Sequence, residues 1–391
     1  MVREAIKYLF ITIVLFVGVT VAKAATPTPR TLPQRLSIEA RPAYNIVSHY
    51  ALSGAMTNGD RLESMMSLHA RYAFSFRKDS RMGELFPTVY QGIGLGAYTL
   101  YHHNYVGTPL AIYVLQGAQI AEFSEKLSLD YEWNLGYSWG WRPNDAMSSK
   151  GNIIINIALP LIWHVAPKWE ISLTPDFTHI SNGDTSFSNS GANGFGLRFG
   201  ASYLFNEEHA NKATPRYFAP AEELKAAGFA QHMTYDIIAY GGWRADRFIQ
   251  DGSFVLINKA LPIAGIQFTP LYQLNRYFAL GMSLDAQVDS SLNLYDAVED
   301  SAGNVISFER PSLWQQTEVG VSLRGEINAP IFKIGVGIGI NLNRQGYDMS
   351  RLYTQFTLKA FIHKYLFLFV GYRFNAKAYT QNMMYGIGFR F

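Results

Sequence analysis

Residues 194–199 read GFGLRF, and residues 386–391 read GIGFRF. Each is a short alternation: Gly194, Gly196 and Arg198 fall on one side, Phe195, Leu197 and Phe199 on the other, which is the period of two of a β-strand. Together they decide the fold, because each closes a comparable series of strand-like segments. Working back from the first copy, alternating segments lie at 38–50, 61–76, 88–101, 107–123, 127–141, 151–166, 169–181 and 193–205. Working back from the second, they lie at 232–247, 253–273, 277–291, 311–327, 330–342, 351–364, 366–379 and 383–391. Most are ten residues or longer, the length a tilted strand needs to cross a bilayer.

The connections carry the orientation. Long ones, such as RPNDAMSSKG, NGDTSFSNSGA and LNLYDAVEDSAGNVISFE, follow odd strands, whereas most short ones, such as SEK, APK, QLNR and HKY, follow even strands. Short turns on one side and long loops on the other are the outer-membrane pattern, with the short turns in the periplasm. Composition agrees: 48% of the residues are hydrophobic, 15% aromatic and 16% charged, against about 25% charged in soluble domains. There is no cysteine, so thiolate metal sites, disulfides and cysteine nucleophiles are excluded. A net charge of +3 without a basic run gives no footing for nucleic acid.

The expectation is an all-β chain, a transmembrane antiparallel β-barrel protein with two tandem eight-stranded barrels. One sixteen-stranded barrel with 206–231 as a periplasmic insert is the alternative. Residues 1–24 read as a signal peptide, with Arg3 and Lys7 before an apolar stretch and an Ala-Lys-Ala end. The first barrel then spans 25–205, a charged linker with a short helical signal spans 206–231, and the second barrel spans 232–391. The expected location is the outer membrane of a diderm bacterium, and the closing strand ending on Phe391 resembles the assembly signal of such proteins.

Parity within 169–181 singles out a site. Ser172, Thr174, Asp176 and Thr178 alternate with Ile171, Leu173, Phe177, His179 and Ser181. The polar set must line the interior, so His179 and Ser181 lie on the lipid face. In the next strand Asn193 shares the outward parity of Phe195 and Leu197. A serine within reach of a histidine that a third polar group orients is the arrangement of an activated nucleophile. Asn182, Gly183 and Asn189 are the expected oxyanion donors or supports, and Asp184 a nearby charge. Neither metal nor cofactor is expected. His102 and His103, read as neighbours on a strand, would point to opposite faces and make a poor chelating pair.

The motif H-I-S-N-G, followed eight residues after the serine by N-S-G-A-N, resembles the PagL-type lipid A 3-O-deacylases. That resemblance covers about residues 38–205 and implies an eight-stranded barrel hydrolysing an acyl ester of lipopolysaccharide in the outer leaflet. It implies His179 and Ser181 as catalytic residues and Asn182 and Asn189 as matching asparagines. Asn193 stands where the family has glutamate. The second half has no matching His–Ser pair; its outward residues include Val370, Tyr372, Phe374 and Ala376. It reads as a non-catalytic copy, and a barrel with a structural, channel or docking role is the alternative for the whole protein. The expected partners are lipopolysaccharide and the membrane, with a homodimer left open.

Overall fold

The computed structural model describes residues 31–46, 62–144, 147–186, 191–210, 212, 217, 229–250, 253–299, 301, 305–343, 349–375 and 380–391. The signal peptide, Asn189, Ala376 and the helical signal of the linker lie outside the described residues. The chain divides into two units.

The first unit is built on nine strands: β1 (Gln34–Ile46), β2 (Ser64–Ser75), β3 (Tyr90–Thr99), β4 (Gly107–Ser124), β5 (Leu127–Trp141), β6 (Gly151–Ala158), β7 (Leu161–Ala166), β8 (Trp169–Ser181) and β9 (Ala192–Phe205). All pairings are antiparallel, and β1 bonds to β9 while β4 bonds to β5, so the sheet closes into a ring. β6 and β7 occupy one place in that ring, both lying between β5 and β8. Their register is continuous: Glu132 faces Ala158 and Leu129 faces Leu161, an unshifted antiparallel step. The interruption falls at Pro160, which has no N–H to give the ladder, although its carbonyl still accepts from Asp130 N at 2.8 Å. The expected strand 151–166 is therefore one physical strand with a missing rung, and the barrel is eight-stranded.

The second unit is a closed barrel of eight strands: β10 (His232–Gln250), β11 (Ser253–Gln273), β12 (Phe278–Asp289), β15 (Thr317–Asn328), β16 (Phe332–Asn341), β17 (Leu352–Phe361), β18 (Leu366–Asn375) and β19 (Thr380–Arg390). β9 pairs with β1 and β8, and β10 with β11 and β19, so each unit closes on itself and the sixteen-stranded alternative is excluded. An extra hairpin, β13 (Tyr295–Glu299) with β14 (Val305–Glu309), forms inside the long connection after β12, which the sequence reading treated as loop. The connection 77–87, long for one that follows an even strand, holds a short helix, α1 (Arg81–Leu85), capped by the Ser80 hydroxyl accepting from Gly83 N at 3.1 Å.

Alternation along each strand separates two surfaces. Outward residues such as Ile38, Leu68, Leu95, Ile157, Phe199, Leu284, Leu323 and Ile338 are exposed hydrophobics and form the apolar wall. Aromatic rings gather at the short-turn ends: Trp169 meets Tyr203 at 5.1 Å between centroids in the first barrel, and Tyr235 meets Phe391 at 5.7 Å in the second. Such girdles suit the membrane–water interface.

Inward residues pair as ions. In the first barrel Arg198 joins Glu39 at 3.0 Å, Glu132 at 2.9 Å and Asp176 at 3.0 Å. Arg71 bridges Glu39 and Glu132, and Arg41 binds Asp176 through Nε at 2.7 Å. Three guanidiniums against three carboxylates leave the cluster neutral, which is how charge survives burial. In the second barrel Arg390 and Lys359 share Asp236 and Glu326, while Arg324 binds Asp285 at 2.9 Å.

Candidate functional site

His179 sits on β8 and Asn193 on β9 as direct cross-strand partners, one step beyond the facing pair Phe177 and Phe195. The two phenylalanine rings pack at 5.1 Å, flooring the polar cluster with apolar wall. On the other flank β6 places Ile155 opposite His179 and Ile153 opposite Ser181. Asp176 and Arg198 are buried in the lumen, whereas His179 and Asn193 share the face of the exposed Leu173, Phe195, Leu197 and Phe199. Period-two parity thus carries this part of the sequence reading, because neither strand bulges between the lumen cluster and the rim.

The three side chains form a continuous relay. His179 Nδ1 lies 2.7 Å from Asn193 Oδ1, and His179 Nε2 lies 2.8 Å from Ser181 Oγ. The amide oxygen can only accept, so Nδ1 carries the proton and Nε2 is left to accept from the serine hydroxyl. Residues i and i+2 of a strand supply the His–Ser contact; the hairpin supplies the third member. Ser181 is 5% exposed and His179 half-buried, so the hydroxyl is shielded while the imidazole reaches the outer wall.

The flanking residues divide. Asn182 is buried and its amide donates to Ser148 Oγ at 3.4 Å, tying the strand end to the loop that precedes β6. Gly183 and Asp184 both take positive φ, 66° and 59°, making the turn that follows β8. Gly191 escaped the sequence reading. Its φ is 65°, and a Cβ built there would lie 3.3 Å from His179 Cε1 and 3.5 Å from Ser181 Cβ. The backbone at Gly191 therefore packs directly on the pair. The signal was the glycine two residues before Asn193, within N-S-G-A-N.

A second Ser–His contact also escaped the sequence reading. Ser67 Oγ lies 2.9 Å from His69 Nε2, and His69 Nδ1 lies 2.9 Å from Tyr113 Oη. The chemistry is similar but the placement is opposite. Ser67 and His69 are 1% and 6% exposed, inside the lumen. The cavity beside His69 is about 10 Å³, scarcely a single water. His102 and His103 are not on a strand: His103 begins the short helix α2 (His103–Val106), with His102 at its N-cap. The opposed-face argument against chelation therefore falls; among the described residues no group of three His, Cys, Asp or Glu could hold a metal ion.

In the second barrel, β18 turns Leu368, Val370 and Phe374 to the half-buried outer side and Phe367, Phe369 and Arg373 into the lumen. Its described outward positions hold no histidine and no serine.

Comparison with known proteins gives a family match for the C-terminal part of the chain. Residues 233–391 match the sequence profile described as the acyloxyacyl hydrolase C-terminal domain, PagL_C. The match falls on the second barrel, not on the 38–205 stretch that carries the His–Ser motif. No curated protein matches the chain. Among solved structures, Neisserial surface protein A is similar at 12% identity and a TM-score of 0.31, over 44% of this chain and 97% of its own. The FrpB iron transporter from Neisseria meningitidis gives 11% identity and a TM-score of 0.21, over 92% of this chain and 73% of its own. The outer membrane protein Omp33 of Acinetobacter baumannii gives 6% identity and 0.16, over 92% and 98%. The second barrel, residues 233–391, is thus similar to the acyloxyacyl hydrolase C-terminal domain, and both units of the chain are antiparallel β-barrels walled by exposed apolar side chains.

Proposed function

We propose that the first barrel is an ester hydrolase that removes an acyl chain from lipid A in the outer leaflet. The observation that carries this reading is the relay Asn193–His179–Ser181, at 2.7 and 2.8 Å, on the lipid-facing wall. A polar cluster on that wall is costly unless it is used.

The chemistry follows from the contacts. Ser181 Oγ attacks the ester carbonyl carbon while His179 Nε2 takes its proton. The carbonyl π electrons move to oxygen, and the candidate donors for the resulting oxyanion are Asn182 and the amide of Gly183, with Asn189 a further candidate outside the described residues. Collapse expels the sugar alkoxide, which takes the proton back from His179. Water then enters, His179 accepts its proton, and hydrolysis of the acyl-serine releases the fatty acid and restores Ser181. Asn193 Oδ1 holds the Nδ1–H throughout and fixes the tautomer, but it brings no charge to the transient imidazolium.

The acyloxyacyl hydrolase profile matches residues 233–391, so the hydrolytic reading of the N-terminal barrel stands on the His179–Ser181 relay. The test is mass spectrometry of lipid A from cells expressing the protein or its Ser181→Ala variant. Loss of the deacylated species in the variant, with barrel assembly intact, supports the reading. Identical lipid A in both refutes it. The competing reading, a barrel without enzymatic activity, is favoured by the amide at position 193 in place of a carboxylate, and predicts that second outcome.

A further inference from the structure

The first barrel contains a cavity of about 440 Å³ that is lined in part by Glu170. Glu170 and Ser181 stand at opposite ends of β8, so this space lies at the short-turn end, away from the relay. The turns themselves form its rim, with Glu125 and Lys126 between β4 and β5 and Pro167 between β7 and β8. Arg35, Tyr90 and Asp130 line it further along the strands. Tyr90 Oη donates to Glu132 of the lumen ion cluster at 3.2 Å, so that cluster is its floor. The volume is that of a small-molecule site, and Phe74, Ile162 and Leu204 give it an apolar wall.

The charges around this space do not balance. Glu122, Glu125, Asp130, Glu170 and Glu207 stand against Arg35, Lys126 and Lys212. Glu170 binds Arg35 Nε at 2.9 Å and Nη2 at 3.1 Å, and it meets His164 Nδ1 at 3.1 Å. Glu207 binds Lys212 at 2.5 Å. Asp130 is left over. It is 4% exposed, its carboxylate accepts from the Ser128 hydroxyl at 3.3 Å, and among the described residues it joins no ion pair. The other buried carboxylates of this barrel, Glu39, Glu132, Glu170 and Asp176, each have an arginine. A buried carboxylate without a cation is costly, and one on a cavity wall has room to receive its cation from outside. Among the described residues no group of three His, Cys, Asp or Glu could hold a metal ion. The apolar wall beside Asp130 suits methylene groups, which points to an organic cation.

Register gives the length of that cation. Asp130 and Ser128 are two residues apart on β5, about 7 Å along the strand, and Ser128 faces Glu122 across the β4–β5 ladder. Glu122 is exposed, at the mouth. One carboxylate inside and one at the mouth are thus separated by about the span between the two ammonium groups of a short, extended diamine.

We propose that this cavity binds a short aliphatic diamine, with its inner ammonium group paired with Asp130, its outer one with Glu122, and its methylenes along the apolar wall. The site is independent of the hydrolase reading.

The test is calorimetric titration of the full-length protein in detergent micelles with cadaverine, with pentylamine, and with the uncharged pentanediol of the same length. Cadaverine is expected to bind and pentanediol is not. Asp130→Asn, which keeps the shape and removes the charge, should weaken cadaverine binding by about tenfold or more, the scale of a hydrogen bond to a charged group. Glu122→Gln should bring cadaverine down to the affinity of pentylamine, which reaches Asp130 alone. No binding of cadaverine, equal binding of pentanediol, or an affinity unchanged in Asp130→Asn overturns the site. An affinity unchanged in Glu122→Gln overturns the outer contact. If Asp130→Asn fails to assemble, the wild-type comparison decides: binding of the diamine without the diol supports the site, and equal binding overturns it.

Discussion

His179 and Asn193 face each other across the β8–β9 ladder, and the 2.7 Å contact between Nδ1 and Oδ1 makes an amide, not a carboxylate, the group that orients the imidazole. Geometry and charge are thus separable at this position. Asn193→Asp keeps the length of the side chain and the accepting oxygen while adding a negative charge beside the imidazolium. It should raise kcat on a lipid A substrate by about tenfold or more, since the reverse change in a serine protease lowers the rate by about 10⁴. Asn193→Ala should lower kcat by about 10²-fold, the lower range for positioned acid–base catalysis. A drop in rate for Asn193→Asp would remove Asn193 from the relay.

Gly191 makes a sharper prediction than its size suggests. At φ 65° a side chain is strained by about 1–2 kcal/mol, and the new Cβ would press on His179 Cε1 and Ser181 Cβ. Gly191→Ala should therefore reduce turnover at least as much as Asn193→Ala, with a small loss of thermal stability. Equal activity in the variant would mean that the backbone at Gly191 does not hold the pair.

Arg198 is the hub of the first lumen, touching Glu39, Glu132 and Asp176. Removing one partner of a buried ionic cluster costs about 3–5 kcal/mol because the others are left uncompensated. Arg198→Leu should lower the unfolding midpoint of the first barrel, read by its gel-mobility shift on heating, and leave the second barrel's transition in place. A single common shift would indicate that the two units unfold together.

The luminal Ser67–His69 contact supplies an internal control. Ser67→Ala should leave lipid A deacylation at the wild-type rate, because Ser67 is sealed inside the barrel. Loss of activity with an unchanged melting profile would move the chemistry to the interior.

Much of this architecture was legible in the sequence because one rule, alternation with period two, governs both barrels. It placed His179, Ser181 and Asn193 on one wall and Asp176 and Arg198 on the other without any contact being known. It failed where backbone chemistry overrode side-chain pattern. Pro160 interrupts a strand whose register does not change, so the eight-strand count held although the segment split in two. The β13–β14 hairpin hid in a connection judged by its polar residues, although Tyr295, Val298 and Ile306 are among its exposed side chains. His102 and His103 were misjudged because a short helix preceding a strand leaves no periodic trace. Gly191 was missed because its role lies in what it lacks.

The neutral clusters inside both barrels have a consequence for permeation. A current needs mobile ions and a wet path, and along these lumens the charges are already fixed to one another by arginine, lysine and carboxylate side chains. The open space of the first barrel, about 440 Å³ beside Arg35, Asp130 and Glu170, lies to one side of its ion cluster, so an ion entering there would meet Arg71, Arg198 and their carboxylates as a plug.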